Sequence, residues 1–150
     1  MSLTERIERE SEQIRGQRHQ LLFISCNTLD EKSLLEHIQS LQIPIYNLSL
    51  ELSRHLKEFT VQKRQREVST HLRQLVNTSE SEIVCFEKIE YIFDPELKQD
   101  PLRLFESISG NVVVIVVWPG NVEGSTMTYA VPGHPEHTTL HVQEENIIKL

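Results

Sequence analysis

Residues 21–41 read LLFISCNTLDEKSLLEHIQSL and change character twice along their length. The apolar run Leu21 to Ser25 is typical of a short buried strand. From residue 29 to residue 42, Leu34, Leu35, Ile38 and Leu41 recur at helical spacing, which predicts an amphipathic helix. The strand and the helix are joined by a polar segment that ends in Lys-Ser. The stretch therefore predicts the strand, loop and helix with which an α/β fold begins.

The same alternation of strands and helices continues on both sides of this stretch. The polar N-terminal segment has apolar residues at helical spacing, and Ser2 and Glu5 have the spacing of a capping box. Val112 to Trp118 is a continuous apolar run typical of a central strand that is covered on both faces. The other predicted elements are a strand at 43–46, helices at 48–59 and 61–77, a strand at 83–86, a helix at 101–109, and edge strands at 126–131 and 137–142.

The segment after the first strand, Cys26 to Ser33, has the length, the context and the Lys-Ser ending of a phosphate-binding loop, G-x-x-x-x-G-K-[ST]. Backbone N–H groups of such a loop form a nest around a phosphate, the lysine reaches the phosphates, and the hydroxyl binds Mg²⁺. The pattern predicts that ATP is contacted by Asn27, Thr28, Lys32 and Ser33. Ser33 is also predicted to bind the Mg²⁺ ion.

Both glycines of the phosphate-loop pattern are missing. Cys26 carries a Cβ where a tight turn favours none, and Glu31 places a carboxylate next to the expected polyphosphate. Two like charges about 4 Å apart repel by roughly 4 kcal/mol at an effective dielectric of 20, which corresponds to about a thousandfold in affinity. The alternative is that Thr28-x-x-Glu31 is a capping box, which starts an ordinary helix and leaves Lys32 on its surface.

A second acidic motif occurs in IVCFEKIE, residues 83–90. Glu87 follows four apolar residues, as the magnesium-holding acid of a Walker B strand does. In AAA+ relatives the next residue is a Glu that activates water, whereas here it is Lys88. Glu87 is therefore the candidate catalytic and metal-binding residue of an enzyme that is at most a weak ATPase. The alternative is an acid that only caps the next element.

Together these patterns predict a small three-layer α/β fold with a parallel sheet, of the P-loop NTPase type with an AAA+ or RecA-like core. We expect a single domain over residues 1–150, in which residues 1–19 form a polar helix and residues 20–142 form the core, with a β edge at its C-terminal end. Ligands of such sheets lie beyond the carboxyl ends of the strands.

Two further segments resemble a known family. FDPELKQDPLRLFESISGNVVVIVVWPG (Phe93 to Gly120) and TYAVPGHPEH (Thr128 to His137) resemble BrxF, the small P-loop proteins of type 3 BREX bacteriophage-exclusion systems. The resemblance runs from about residue 20 to residue 140. It implies an intracellular bacterial domain that acts in phage defence beside other BREX proteins, and it matches Lys32, Ser33 and Glu87 with the family's phosphate-binding and metal-binding positions.

Two functions of different classes follow from these motifs. The first is a nucleotide-sensitive or weakly hydrolysing ATPase subunit that forms homo-oligomers and binds ATP with Mg²⁺. The second is a non-catalytic adaptor that keeps the fold and binds BREX partners without nucleotide. The formal net charge of −7 argues against direct DNA binding, and the basic cluster Lys63, Arg64 and Arg66 is interpreted as a solvated helix face.

The remaining motifs indicate packing and solvent exposure more than chemistry. The longest apolar run is too short to span a bilayer and the first 20 residues lack a signal-peptide pattern, so we expect a cytoplasmic protein. Cys26 and Cys85 are expected to be buried thiols. The extended backbone predicted for the tail favours solvated loop histidines. The alternative is a zinc site built from His134, Glu136, His137 and His141.

Overall fold

The structure is a computed structural model and describes residues 2–150. It contains five α-helices, α1 to α5, at Leu3–Ile14, Glu31–Ser40, Leu48–Leu56, Val61–Thr78 and Pro101–Ile108. It contains eight strands, β1 to β8, at Leu21–Ser25, Ile45–Asn47, Ile83–Glu87, Val113–Trp118, Asn121–Glu123, Thr126–Tyr129, Thr138–His141 and Ile147–Lys149. Short 3₁₀ turns lie at Glu90–Phe93, Pro95–Leu97 and Glu144–Asn146.

The main sheet has five strands in the order β2-β3-β4-β1-β8, and all of its pairings are parallel. The centre of the sheet is the β1–β4 pair, in register from Leu21 opposite Val114 to Ser25 opposite Trp118. These two strands are buried along their whole length because helices cover both faces. The prediction of an α/β fold with a parallel sheet is confirmed.

Alternate side chains of the central strands enter two separate cores. Leu22 and Ile24 of β1 contribute to the core beneath α1 and α2, whereas Leu21 and Phe23 contribute to the core beneath α3, α4 and α5. The strand period of two divides the apolar side chains between the faces. The molecule therefore has the three layers that the alternation of elements predicted.

The main sheet does have a β edge at the C-terminal end, but the strands predicted for it, 126–131 and 137–142, were wrong. Residues 126–129 pair with β5 on one side and with residues 138–141 on the other, in a separate antiparallel sheet ordered β5-β6-β7. The edge of the main sheet is β8, which pairs with β1 and lies outside the predicted core of residues 20–142. Ile148 is fully buried there, so the core extends to the last strand.

The small sheet is attached to the end of β4 through aromatic contacts. Trp118 is 2% exposed, and its Nε1 donates to the carbonyl oxygen of Thr128 at 3.1 Å. Phe93 lies edge-on to Trp118 at 5.5 Å and stacks on Tyr129 at 4.4 Å between ring centroids. Trp118 therefore belongs to the hydrophobic core and joins the small sheet to it.

The helix boundaries follow from their caps. Ser2 accepts a hydrogen bond from the Glu5 N–H at 3.1 Å, as the capping spacing predicted, but the N-terminal helix ends at Ile14 and not at residue 19. Asn47 caps α3 through the Leu50 N–H at 3.0 Å. In the described part of the chain, no helix is both long and apolar enough to cross a membrane.

Candidate functional site

The carboxyl ends of the parallel strands meet at one edge of the main sheet, which we call the carboxyl edge. Ser25 ends β1 and Glu87 ends β3, with β4 between them. The two strands are thus separated by two strand spacings, roughly 10 Å. The chain leaves β1 towards α2 on one face and leaves β4 towards the small sheet on the other. Parallel sheets bind ligands where neighbouring strands diverge in this way.

The segment between β1 and α2 is closed by a side-chain cap from Asp30. Its Oδ1 accepts the Ser33 N–H at 2.7 Å and its Oδ2 accepts the Ser33 hydroxyl at 3.2 Å. These hydrogen bonds lower the pKa of Asp30, and the charge of Lys32 contributes less. The carboxylate therefore sits at the helix N-terminus, where a bound anion would otherwise lie.

The predicted capping box on Thr28 is wrong, because the helix begins at Glu31 and Asp30 is its N-cap. Asp30 takes the capping role because it is the residue immediately before the helix and its backbone is extended, with φ −77° and ψ 153°. Glu31 then occupies the first helical position and is exposed. Lys32 follows it, also exposed, and forms no ion pair with the residues the structure describes.

The backbone of the same segment is held by Leu150, the residue after β8. The N–H groups of Asn27 and Thr28 donate to the main-chain carbonyl of Leu150 at 2.5 and 2.9 Å, and the Leu150 N–H donates to the Ser25 carbonyl at 2.8 Å. These contacts extend the β1–β8 pairing beyond the strand ends. Two of the N–H groups that a phosphate nest would use are therefore already paired.

The carboxyl edge carries excess negative charge. Burial is the main cause that raises the pKa of Glu87; Lys88 opposes the rise, and Glu31 and Glu90 add to it. The influence of Glu31 on Glu87 means that the start of α2 and the end of β3 share one electrostatic environment. The two sequence motifs thus lie at the same edge of the sheet.

Two side chains at the end of β1 share this environment. Burial, then Glu31 and Asp30, raises the pKa of the Cys26 thiol. The Ser25 side chain is fully buried, and its Oγ has no hydrogen-bond partner among the described residues. No histidine hydrogen-bonds to either side chain within residues 2–150.

The other candidates from the sequence have structural roles. Arg64 is not part of a solvated face, because its Nε donates to the carbonyls of Leu56 and Phe59, both at 2.9 Å, and caps the end of α3. His134 accepts the Glu136 N–H at 3.0 Å on an exposed turn. No group of three or more potential metal ligands converges among residues 2–150, so the tail histidines are not brought together around an ion.

Asp30 and Leu150 are the important residues that the sequence interpretation missed. An Asp directly before EKSLLEHI has the residue type and position of an N-cap, so the capping role of Asp30 could have been predicted from the sequence. The contact with Leu150 joins segments more than a hundred residues apart and leaves no local pattern. Comparison with protein-family models, curated proteins and solved structures found no match to this chain.

Proposed function

We propose that this chain is a phage-defence protein of the BREX type that acts in the cytoplasm as a non-catalytic adaptor for other BREX proteins, with a P-loop-like fold as its scaffold. The observation that carries the proposal is the closure of residues 26–33 by the chain's own groups. The Asp30 carboxylate caps the helix, and the Leu150 carbonyl takes the backbone N–H groups of Asn27 and Thr28. Partner binding, and not turnover, is the function that such a closed loop supports best.

A magnesium nucleotide does not fit these residues as they lie. The hydroxyl of Ser33, the expected metal ligand, is hydrogen-bonded to Asp30, and the N–H groups that would hold phosphate are occupied. Carboxylates of Glu31 and Glu87 add like charge where a triphosphate would bind.

The strand order supports the P-loop-like scaffold. Strand β4 lies between β1, which precedes the Lys-Ser segment, and β3, which ends on an acid. AAA+ and RecA-like cores share this inserted strand, whereas the orders of dinucleotide-binding and flavodoxin-like sheets differ. The order thus agrees with the fold that the resemblance to BrxF implies.

A second candidate function is a nucleotide-sensitive subunit, in which ATP and Mg²⁺ bind after the loop opens. It is favoured by the exposed, unpaired Lys32 at the start of α2 and by Glu87 at the same edge. Calorimetry with Mg-ATP separates the two candidates. The adaptor predicts no binding heat for the wild type, whereas a saturable heat that disappears in Lys32→Ala would favour the nucleotide-sensitive subunit.

Partner binding is tested by co-expression with the other proteins of a type 3 BREX system, followed by affinity capture. We expect Lys32→Ala and Glu87→Gln to capture the same BREX proteins as the wild type, and the core variant Leu72→Ala to capture less because Leu72 is fully buried. Circular dichroism verifies that the two site variants are folded. Loss of capture in a folded Lys32→Ala or Glu87→Gln protein would contradict the adaptor function.

A further inference from the structure

The helices α3 and α4 carry the same pair of residues at the same spacing. Glu51 and His55 lie four residues apart on α3, and Glu67 and His71 lie four residues apart on α4. Residues with this spacing share one face of a helix. The short connection between the helices, residues 57–60, makes them antiparallel neighbours. The four side chains therefore form a square between the helices, which we call the His–Glu square.

The pairs are crossed between the helices. His55 Nε2 lies 3.2 Å from Glu67 Oε1, and His71 Nε2 lies 3.3 Å from Glu51 Oε2. The two imidazole rings stack face to face, with centroids 4.1 Å apart and planes 9° apart. Every member is half-buried or more, with 14–34% of each side chain exposed. The square is separate from the carboxyl-edge loop and has no part in the proposed adaptor function.

One polar atom of the square lacks a partner. Nδ1 of His71 is buried and accepts or donates no hydrogen bond within residues 2–150. Such orphaned atoms are uncommon in folded proteins because they lose their contact with water. The ring of His71 can therefore offer either nitrogen to an ion, one at a time, and Nδ1 gives up no hydrogen bond when it does so.

The composition of the square matches a zinc-type coordination set. Imidazole nitrogen and carboxylate oxygen bind Zn²⁺ at about 2.0–2.2 Å, and a tetrahedral ion at that distance holds its ligands roughly 3.3–3.5 Å from one another. The two crossed pairs have N to O separations of 3.2 and 3.3 Å, close to the edge of such a tetrahedron. The separation within each pair is thus close to that of two ligands on one ion.

The rings must turn before all four groups meet. As the side chains lie, no three potential ligands within residues 2–150 surround one point, since the imidazoles are stacked on each other. Rotation about the terminal torsion of a histidine is soft, and the helices already hold the four side chains side by side. An ion would replace the hydrogen bonds of the crossed pairs with metal bonds and release the protons they share.

We propose that Glu51, His55, Glu67 and His71 form a binding site for a divalent transition-metal ion of the zinc class, which links α3 to α4. The test uses chelator-treated full-length protein and Zn²⁺ alone, followed by calorimetry and thermal unfolding. We expect one ion per chain and a higher Tm with Zn²⁺. Visible absorption of the Co²⁺-loaded protein is expected to have the intensity of a four-coordinate ion.

Matched variants locate the ion. Changes to groups that only orient metal ligands weaken binding by about 10- to 100-fold, so His55→Ala and His71→Ala, which remove ligands outright, should weaken it at least as much. His137→Ala, on the exposed tail, should leave it unchanged. Should His71→Ala fail to fold, Glu51→Gln supplies the same test without removing the ring. The proposal is overturned if the wild type binds no Zn²⁺, if binding is undiminished in folded His55→Ala, or if binding is lost in His137→Ala.

Discussion

The attachment of the small sheet to β4 depends on the missing side chain of Gly120. A Cβ built at this position would overlap the carbonyl oxygen of Thr128 and would lie 2.9 Å from its carbonyl carbon and 3.0 Å from Trp118 Nε1. The same carbonyl accepts the indole N–H of Trp118. Replacement of Gly120 by Ala therefore forces the Thr128 strand away from β4 and separates the donor from its acceptor.

The cost has two parts. A buried donor left without its acceptor costs about 1–3 kcal/mol, and overpacking against backbone costs about 1–3 kcal/mol more. We expect Gly120→Ala to lower the free energy of unfolding by roughly 2–6 kcal/mol, which for a chain of this length lowers Tm by at least about 5 °C.

Urea denaturation followed by tryptophan fluorescence measures this change where it occurs, since Trp118 is the single tryptophan of the chain. Gly110→Ala is the matched control, because a Cβ at Gly110 meets no atom within 4 Å, and it should change the free energy of unfolding by no more than about 0.5 kcal/mol. The same midpoint for Gly120→Ala and Gly110→Ala would refute the close approach of β6 to the end of β4.

Three further substitutions test the caps and the charge at the carboxyl edge. Asp30→Ala should lower Tm by a few degrees at neutral pH; because the pKa of Asp30 is lowered in the folded chain, the difference from wild type should shrink as pH falls through that pKa. A constant difference down to strongly acidic pH would contradict the cap. Arg64→Ala should lower the free energy of unfolding, measured by urea denaturation, by about 1–3 kcal/mol, because the carbonyls at the end of α3 lose a charged donor. The neighbouring substitution Lys63→Ala should change the free energy of unfolding by no more than about 0.5 kcal/mol. Equal losses in the two variants would contradict the capping role of Arg64. Glu87→Gln should stabilise the fold at pH values above the raised pKa of Glu87, because the ionised carboxylate is disfavoured in the folded chain. The gain should vanish in acid, where Glu87 is protonated in the folded and the unfolded chain. Thermal unfolding across pH measures the difference in Tm, and destabilisation at neutral pH would show that the charge is needed.

The elements that could be predicted from the sequence are those whose signal is local. Strands β1, β3 and β4 are continuous apolar runs because helices cover both faces of the sheet, and this composition is visible without coordinates. The cap of α3 by Asn47 was equally readable, since the side chain and the N–H it accepts lie three residues apart. Local sequence patterns therefore predict most of the strands and helices that form the three layers.

The errors occurred where distant segments decide the structure. Residues 147–149 form a strand by pairing with the free edge of β1. A segment of three residues is too short to have a recognisable periodicity of its own. Residues 126–129 alternate like an edge strand, but they form the middle strand of a separate sheet, and Gly120 allows the chain to fold back closely enough for this pairing. Alternation of apolar and polar residues predicts a strand, but it does not predict which strand it pairs with.

The phosphate-loop pattern shows the same division at the candidate site. Length, strand context and the Lys-Ser ending are sequence properties, and the structure keeps all three: a strand, a short segment and a helix that begins beside Lys32. The state of the loop depends on Asp30, which was readable as a cap, and on Leu150, which was not. A pattern that reports residue types can therefore predict where a loop lies without predicting what occupies it.

Closure of the loop also connects its state to the edge of the sheet. Any ligand that takes the N–H groups of Asn27 and Thr28 must displace the Leu150 carbonyl, and the Leu150 N–H is in turn bound to Ser25. Strand β8 has only three residues and pairs with a single neighbour, β1, and the contacts of Leu150 extend this short pairing. A ligand in the loop would therefore compete with Leu150 for the same N–H groups. The two proposed functions therefore differ in whether Leu150 or a ligand satisfies these two N–H groups.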